Sequence, residues 1–451
     1  MRAESDKRAP HEHFPAPYAL IELWERHGGS LEDMLAAERE SFARLLPLPS
    51  TQNLIRDFFL RRHLKANAKG ESGIGRIHVV GAGAMGADIG AWCALKGMRV
   101  TLEDPQNGAL AKAVANANEL FARKLSGSER IAAQDRFMPD PDGTGLRHAD
   151  LVIEAAPEKE DLKRSIYQRI EAEVGADVIL ATNTSSLDLE ALALGLEHPG
   201  RFVGLHFFNP VSKLDLVEVV RHERVDQSVL SRAMALVGAI GKLPLPSAAT
   251  PGFLVNRALL PYLGEALLMV RHGMQPERVD AAAESFGMPL GPVELADQVG
   301  LDICLAVARS LSDQPGNGLD AVREWLETKV GQGELGRKSG KGFYEYDHNG
   351  KPIKQPVGKS DEDQDPGDIV DRLIMPLLNE VSGALEEGVI DDEDSVDAAM
   401  VFGAGFAPFR GGPMKYARQR GLDDVADRLE QLAREHGTRF EPREWWRKAA
   451  R

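Results

Sequence analysis

Apolar residues recur at three- and four-residue spacing through the first part of the chain. ALIELWERHGG, EDMLAAERESFARLL and TQNLIRDFFLRRHLKAN each put one apolar stripe on a helix. Gly28-Gly29 and Pro47-Leu48-Pro49 separate these segments. From Gly75 to about Thr250 the pattern becomes short apolar runs alternating with longer amphipathic ones: RIHVVGAG, MRVTLED, ADLVIEAAP, ADVILATN and RFVGLHFF. That alternation predicts a parallel sheet covered by helices on both faces. Pro251 to about Arg323 reads as helix, RKSGKGFYEYD as a closing extended segment, and the polar HNGKPIKQPVGKSDEDQDPGD as a linker. The expected organisation is a helical N-terminal extension over 1–70, an α/β domain over 71–250, a helical domain over 251–347, a linker over 348–368 and a further helical block over 369–451.

The last block repeats the earlier helices. NRALLPYLGEALLMVRHGM from Asn256 aligns with DRLIMPLLNEVSGALEEGVI from Asp371. Arg257, Pro261, Glu265 and Gly273 recur as Arg372, Pro376, Glu380 and Gly388, all at one offset. MPLGPVELAD is loosely echoed by APFRGGPMKYA. Shared proline and glycine positions are improbable between unrelated amphipathic helices, so the region reads as two tandem copies of one helical unit.

Composition narrows the function classes. The chain has 451 residues, 43% hydrophobic and 27% charged, the balance of a globular protein of several units. No apolar run approaches the roughly 20 residues of a membrane span, and the opening MRAESDKRAPHEHFPAP lacks the apolar stretch of a secretory signal. These features place the expected location in the cytoplasm. A net charge of −15 with no basic block excludes a nucleic-acid or anionic-membrane partner. Cys93 and Cys304 are isolated and read as small core residues, and His11-Glu12-His13 as a solvated tail, so no metal site is expected.

Gly81-Ala82-Gly83-Ala84-Met85-Gly86 follows the strand RIHVV and opens the helix ADIGAWCALKG. In that setting GxGxxG is a dinucleotide loop. Gly81 allows the tight turn, Gly83 lets the backbone approach a pyrophosphate, and Gly86 lets helix and strand pack closely. Asp104, after the next strand, would accept from the adenosine ribose and repel a 2′-phosphate, favouring NAD over NADP. Glu103 is its rival, and alternation along the strand allows only one of them to face the ribose.

The residues with chemistry cluster at strand ends. His206 closes the strand RFVGL, and Glu218 lies in the apolar LDLVEVV, where a carboxylate is costly without a partner. Paired, the glutamate would orient the imidazole and favour the imidazolium formed when it takes a proton. Ser185, in Thr182-Asn183-Thr184-Ser185-Ser186, ends another strand and could donate to a substrate oxygen. Asn256 opens the helical domain and could bridge substrate and histidine. No GxSxG, HExxH or Walker loop accompanies them, which leaves hydrolysis, zinc chemistry and phosphoryl transfer without support. Trp445-Trp446 reads as a packing anchor.

VVGAGAMG, VIEAAPEKEDLK, TNTSSL, GLHFFNPVSKLDLVEVV, ATPGFLVNR and RKSGKGFYEY resemble, in order and spacing, the 3-hydroxyacyl-CoA dehydrogenases of fatty-acid β-oxidation. The resemblance covers about 75 to 347 and continues through the duplicated unit. It implies a Rossmann-like NAD-binding domain followed by an all-α domain of substrate and dimerisation type. It also implies oxidation of an (S)-3-hydroxyacyl-CoA to the 3-oxoacyl-CoA with NAD. His206 and Glu218 would be the catalytic pair, Ser185 and Asn256 would touch the substrate, and Glu158, Lys163, Asn209 and Lys338 would join Gly81 to Gly86 and Asp104 around the coenzyme. From the residues alone, Glu158 and Lys163 also suit an exposed pair at a helix start, and Lys338 an exposed loop. Lys112 and Lys124 lie near where coenzyme A phosphates would fall, though a solvated helix face explains them as well.

The leader resembles the end of the hydratase half of a hydratase–dehydrogenase multifunctional protein, without its body, so no hydratase activity is expected. The second helical copy has Asp371 in place of Asn256 and no histidine–glutamate pair, and is expected to be structural. Simple members of the family dimerise through the helical domain, a surface the second copy would occupy within one chain. Two other readings compete: a non-catalytic scaffold of a β-oxidation assembly docking a thiolase, and an NADP-linked hydroxyacid dehydrogenase without coenzyme A.

Overall fold

The computed structural model describes residues 10–311, 320–357 and 365–450. Residues 1–9 of the polar leader and 358–364 of the expected linker lie outside them. The described part of the leader includes the helices α1 (Pro15–His27), α2 (Leu31–Leu45) and α3 (Pro49–Lys65). Pro49 sits in the first turn of α3, where a missing N–H costs nothing, so the proline break also starts a helix. α3 is tied to the body. Its Leu60 and Leu64 are buried in the helical core, Asn53 Nδ2 donates to the Phe409 carbonyl at 2.9 Å, and Arg56 pairs with Asp394 at 2.6 Å and Asp397 at 2.8 Å.

The alternating region forms one sheet of strands β1 (Arg76–Val80), β2 (Arg99–Glu103), β3 (Phe137–Pro139), β4 (Leu151–Glu154), β5 (Ile179–Thr182), β6 (Phe202–Phe207), β7 (Leu216–Arg221) and β8 (Leu243–Ala248). Their order is β3-β2-β1-β4-β5-β6-β7-β8. The winding reverses between β1 and β4, which opens a crevice at their carboxyl ends. Helix α4 (Ala84–Leu95) follows β1 and α5 (Glu160–Glu173) follows β4. Successive strand residues face opposite ways: Ile77 and Val79 enter one apolar cluster with Ile89 and Phe121, and Val80 enters another with Tyr167 and Leu192. Helices therefore cover both faces.

β3 through β6 pair in parallel, but β7 runs antiparallel to β6. The connection, residues 208–215, is too short for a parallel crossover and permits only a reversal. β3 and β8 were not apparent in the hydrophobic pattern. β3 spans 3 residues, and Pro244 and Pro246 in β8 suit only the sheet edge it occupies. RKSGKGFYEYD is not an extended segment: Arg337–Ser339 is a single helical turn and the chain then folds back. Buried Asp297 causes this, its carboxylate accepting the N–H groups of Phe343 at 2.9 Å and Tyr344 at 2.8 Å.

The first helical unit contains α6 (Val255–Arg271), α7 (Pro276–Phe286) and α8 (Pro292–Val299); the second contains α9 (Pro366–Glu386), α10 (Glu393–Ala399) and α11 (Pro413–Arg420). Equivalent residues do equivalent work. Asp280 on α7 accepts the Val293 N–H opening α8 at 2.8 Å, and Asp397 on α10 accepts the Met414 N–H opening α11 at 2.7 Å. Gly291 and Gly412 leave room for these aspartates, since a Cβ would fall 2.2 Å from Asp280 and 2.4 Å from Asp397.

The repeated arginines and glutamates meet across the two copies. Arg257 of α6 bonds to Glu380 of α9, and Arg372 of α9 bonds to Glu265 of α6, with Nε to Oε1 at 2.9 Å. This is the reciprocal pattern of a two-fold interface, satisfied within one chain. Glu265 is 2% exposed and also accepts from Arg439 at 2.8 Å. Glu265→Ala leaves two guanidinium groups without their carboxylate and is expected to cost about 3–5 kcal/mol in denaturant unfolding. Glu327→Ala, which removes an exposed pair with Arg309, is expected to cost under about 1 kcal/mol.

Candidate active site

The antiparallel turn from β6 to β7 sets His206 directly opposite Glu218. Cross-strand partners share a face, so the side chains meet: His206 Nδ1 lies 2.6 Å from Glu218 Oε2. His206 is 4% exposed and Glu218 0%. The other oxygen, Oε1, accepts the N–H groups of Leu254 at 3.0 Å and Val255 at 3.1 Å, where α6 begins. The turn delivering these amides runs through Gly252 at φ 76° and Phe253 at φ 51°, a left-handed conformation unusual for an aromatic residue. The Phe253 ring lies 5.4 Å from the imidazole and that of Phe208 4.5 Å. Glu218 on Nδ1 holds the proton there and leaves Nε2 with a lone pair, the form a general base needs. Asn256 stands in the first turn of α6, next to Val255.

The glycine loop closes β1. Gly81 has φ 105°, and a Cβ there would fall 2.7 Å from the Ala155 carbonyl; at Gly86 it would fall 1.9 Å from the Gly81 carbonyl. At Gly83 a Cβ would meet nothing within 4 Å, so this face of the loop is open. α4 starts here with no side-chain cap, leaving its first N–H groups for an anion. Asp104 is fixed at the loop by accepting the Ala82 N–H at 2.8 Å. Glu103 turns away to His78 at 3.0 Å and Arg169 at 2.7 Å. Burial pushes its carboxyl up, but the hydrogen bonds from His78 and Arg169 outweigh it and leave the group below its ordinary value. The loop thus has the turn, open cradle and carboxylate that a dinucleotide requires.

Between these two groups the edge is continuous. Glu158, after β4, accepts the Ser185 N–H at 2.6 Å and the Thr184 hydroxyl at 2.8 Å. Asn183 Oδ1 accepts the Phe207 N–H at 2.9 Å, joining the Ser185 loop to the strand of His206. Lys163 is 1% exposed rather than on an exposed helix start, with Nζ 2.8 Å from Glu154 and 3.3 Å from Glu158. Asn209 is exposed in the loop after His206. Lys338 stands apart on the helical unit, its ammonium 2.6 Å from Asp302. Among the described residues, no group of three or more histidine, cysteine or acidic side chains could hold a metal ion, and no helix is long and apolar enough to cross a membrane. Glu154, Asn183 and Phe253 escaped the sequence reading; the glycine of ATPGF was the one local sign of the turn at Phe253.

The description "3-hydroxyacyl-CoA dehydrogenase, NAD binding domain" matches residues 76–249, and "3-hydroxyacyl-CoA dehydrogenase, C-terminal domain" matches 252–346 and again 367–451. The chain belongs to the 3-hydroxyacyl-CoA dehydrogenase family. The fatty acid oxidation complex subunit alpha of Psychrobacter arcticus is 33% identical over 444 residues, covering 93% of this chain and 62% of the relative. The chain therefore spans less than two thirds of the length of such relatives. The crystal structure of 3-hydroxybutyryl-CoA dehydrogenase from Escherichia coli superposes with a TM-score of 0.72 at 26% identity, covering 84% of this chain and 98% of that one. That of (S)-3-hydroxybutyryl-CoA dehydrogenase from Ralstonia eutropha gives 0.57 at 36%, covering 61% and 100%.

Residues 76–249 match the family's NAD-binding domain, and the open face at Gly83 offers a direct test of where NAD would sit. Gly83→Val adds atoms where the protein has none, so the unfolding temperature is expected to hold while NAD affinity by calorimetry falls at least about tenfold, or 1.4 kcal/mol. Equal affinity in the two proteins counts against the loop as the coenzyme cradle.

Proposed function

We propose that this chain oxidises the 3-hydroxyl of an (S)-3-hydroxyacyl-CoA to the 3-oxoacyl-CoA, as a step of fatty-acid β-oxidation. One observation carries the proposal: a buried imidazole held at 2.6 Å by a buried carboxylate, on the sheet edge that carries the dinucleotide loop. His206 Nε2 takes the hydroxyl proton, and Glu218 stabilises the imidazolium that forms. The Ser185 hydroxyl and Asn256 amide position the substrate oxygen. Gly81, Ala82, Gly83, Ala84, Met85 and Gly86 present backbone to the pyrophosphate, Asp104 receives the ribose, and Glu158 and Asn209 complete the coenzyme wall with Lys163 behind Glu158. Lys338 enters only through the family resemblance, since its ammonium is engaged by Asp302. When bound, NAD accepts the hydride from C3.

A scaffold would use Glu218 to hold the α6 amides, but it has no need of an imidazole on the other oxygen. The name of the longer relatives makes them subunits of a complex, and we extend the proposal to a thiolase partner that would consume the 3-oxoacyl-CoA, and to a cytoplasmic location.

His206→Gln is expected to lower turnover of 3-hydroxybutyryl-CoA, followed by NADH absorbance, by about 10²–10⁴-fold while NAD still binds. Glu218→Gln keeps an acceptor for the α6 amides but can present N–H to His206 Nδ1. This would move the ring proton to Nε2 and abolish the base, so a comparable loss in kcat with little change in NAD affinity is expected. Turnover at the wild-type rate in either variant overturns the mechanism, and equal rates with NADP overturn the role of Asp104.

A further inference from the structure

The sheet edge contains a second buried carboxylate that the mechanism above does not use. Glu154, the last residue of β4, is 0% exposed and gathers four donors. Lys163 Nζ reaches its two oxygens at 2.8 and 2.9 Å, the Tyr167 hydroxyl donates at 2.6 Å, the Thr182 hydroxyl at 2.9 Å and the Ala156 N–H at 2.7 Å. Burial and the Glu154 carboxylate push the Tyr167 phenol well above its ordinary value, so it remains a donor. Lys163, Tyr167 and Thr182 are themselves 1%, 1% and 0% exposed.

The ammonium of Lys163 faces two carboxylates. Glu154 holds it from inside the fold, and Glu158 meets it from the edge at 3.3 Å. Glu158 in turn holds Ser185 twice, accepting its backbone N–H at 2.6 Å and its hydroxyl at a longer 3.3 Å, a bond the hydroxyl would exchange for a substrate oxygen. Without the inner charge, the ammonium would draw Glu158 to itself and away from Thr184 and Ser185.

We infer that Glu154 is a positioning residue for dehydrogenation, setting the Ser185 hydroxyl through Lys163 and Glu158. The inference rests on the dehydrogenase reading above, in which Ser185 contacts the substrate oxygen. It adds a residue that touches neither substrate nor coenzyme and works through two linked ion pairs.

The test is a double-mutant cycle on the full chain: wild type, Glu154→Gln, Ser185→Ala and the double variant. The measured quantities are kcat/KM for 3-hydroxybutyryl-CoA at saturating NAD, and Tm. Glu154→Gln is expected to lower kcat/KM by about 10–100-fold, the scale of a misplaced substrate contact. The double variant is expected to be no slower than Ser185→Ala alone. If the two losses multiply, with Glu154→Gln acting through lowered Tm only, the positioning role is overturned and the dehydrogenase reading stands. Wild-type kcat/KM in Ser185→Ala overturns the inference together with the substrate contact at Ser185, whereas absence of NADH formation by the wild type overturns the dehydrogenase reading itself. Should Glu154→Gln fail to fold, Glu154→Asp withdraws the carboxylate from Lys163 by one methylene, keeps an ionisable group in the cluster and enters the same cycle under the same criteria.

Discussion

Glu218 is the side chain on which the arrangement depends. A carboxylate without solvent contact is costly unless its lone pairs are used, and here they are divided between two structural units. Oε2 takes His206 from the sheet, and Oε1 takes the Leu254 and Val255 amides that open α6. The same group therefore selects the imidazole tautomer and anchors the helix carrying Asn256. Displacing α6 would strip donors from a buried charge, at about 1–3 kcal/mol or more. Sheet and helical unit are thus fastened at the proposed active site itself.

The duplicated unit shows which parts of the design are structural. Both copies keep the arginine–glutamate exchange and the aspartate that caps the third helix. They differ at one position of the long helix. The first copy has Asn256, adjacent to the amides on Glu218. The second has Asp371, neutralised by Arg420 at 3.0 Å and Arg428 at 2.8 Å. A carboxylate held by two guanidinium groups is fit for joining helices, whereas in the proposed mechanism the neutral amide of Asn256 is fit for a substrate.

The legible features were those with a local signature. GxGxxG needs only its neighbouring strand and helix, and His206 with Glu218 was visible because a histidine at a strand end and a carboxylate in an apolar run each stand out. The short segment 208–215 explains why the two face each other: it forces the reversal that puts them in register. Glu154 carried the same sign, a carboxylate in an apolar run, but nothing nearby pointed to what would pair with it. ADLVIEAAP reads as an apolar strand, and Tyr167 and Thr182, which justify its burial, lie on other elements. Lys163 looked exposed for the same reason. β8 was hidden by prolines tolerated only at a sheet edge, and the fold-back after Lys338 by its dependence on Asp297, far away in sequence. Where long-range partners decide a residue's state, the sequence pattern is silent.

The stability of the edge comes from elsewhere. Buried polar contacts such as the His206–Glu218 hydrogen bond and the Lys163–Glu154 ion pair give little net stabilisation compared with apolar side chains of similar size. Phe253 adds strain of roughly 1–3 kcal/mol by its left-handed backbone. The apolar clusters on both sheet faces and in the helical units offset these costs. A glycine at 253 would relieve the strain but would remove the ring packed beside His206. The turn has to deliver that ring and the two following amides together, and a strained aromatic residue is the arrangement that supplies both.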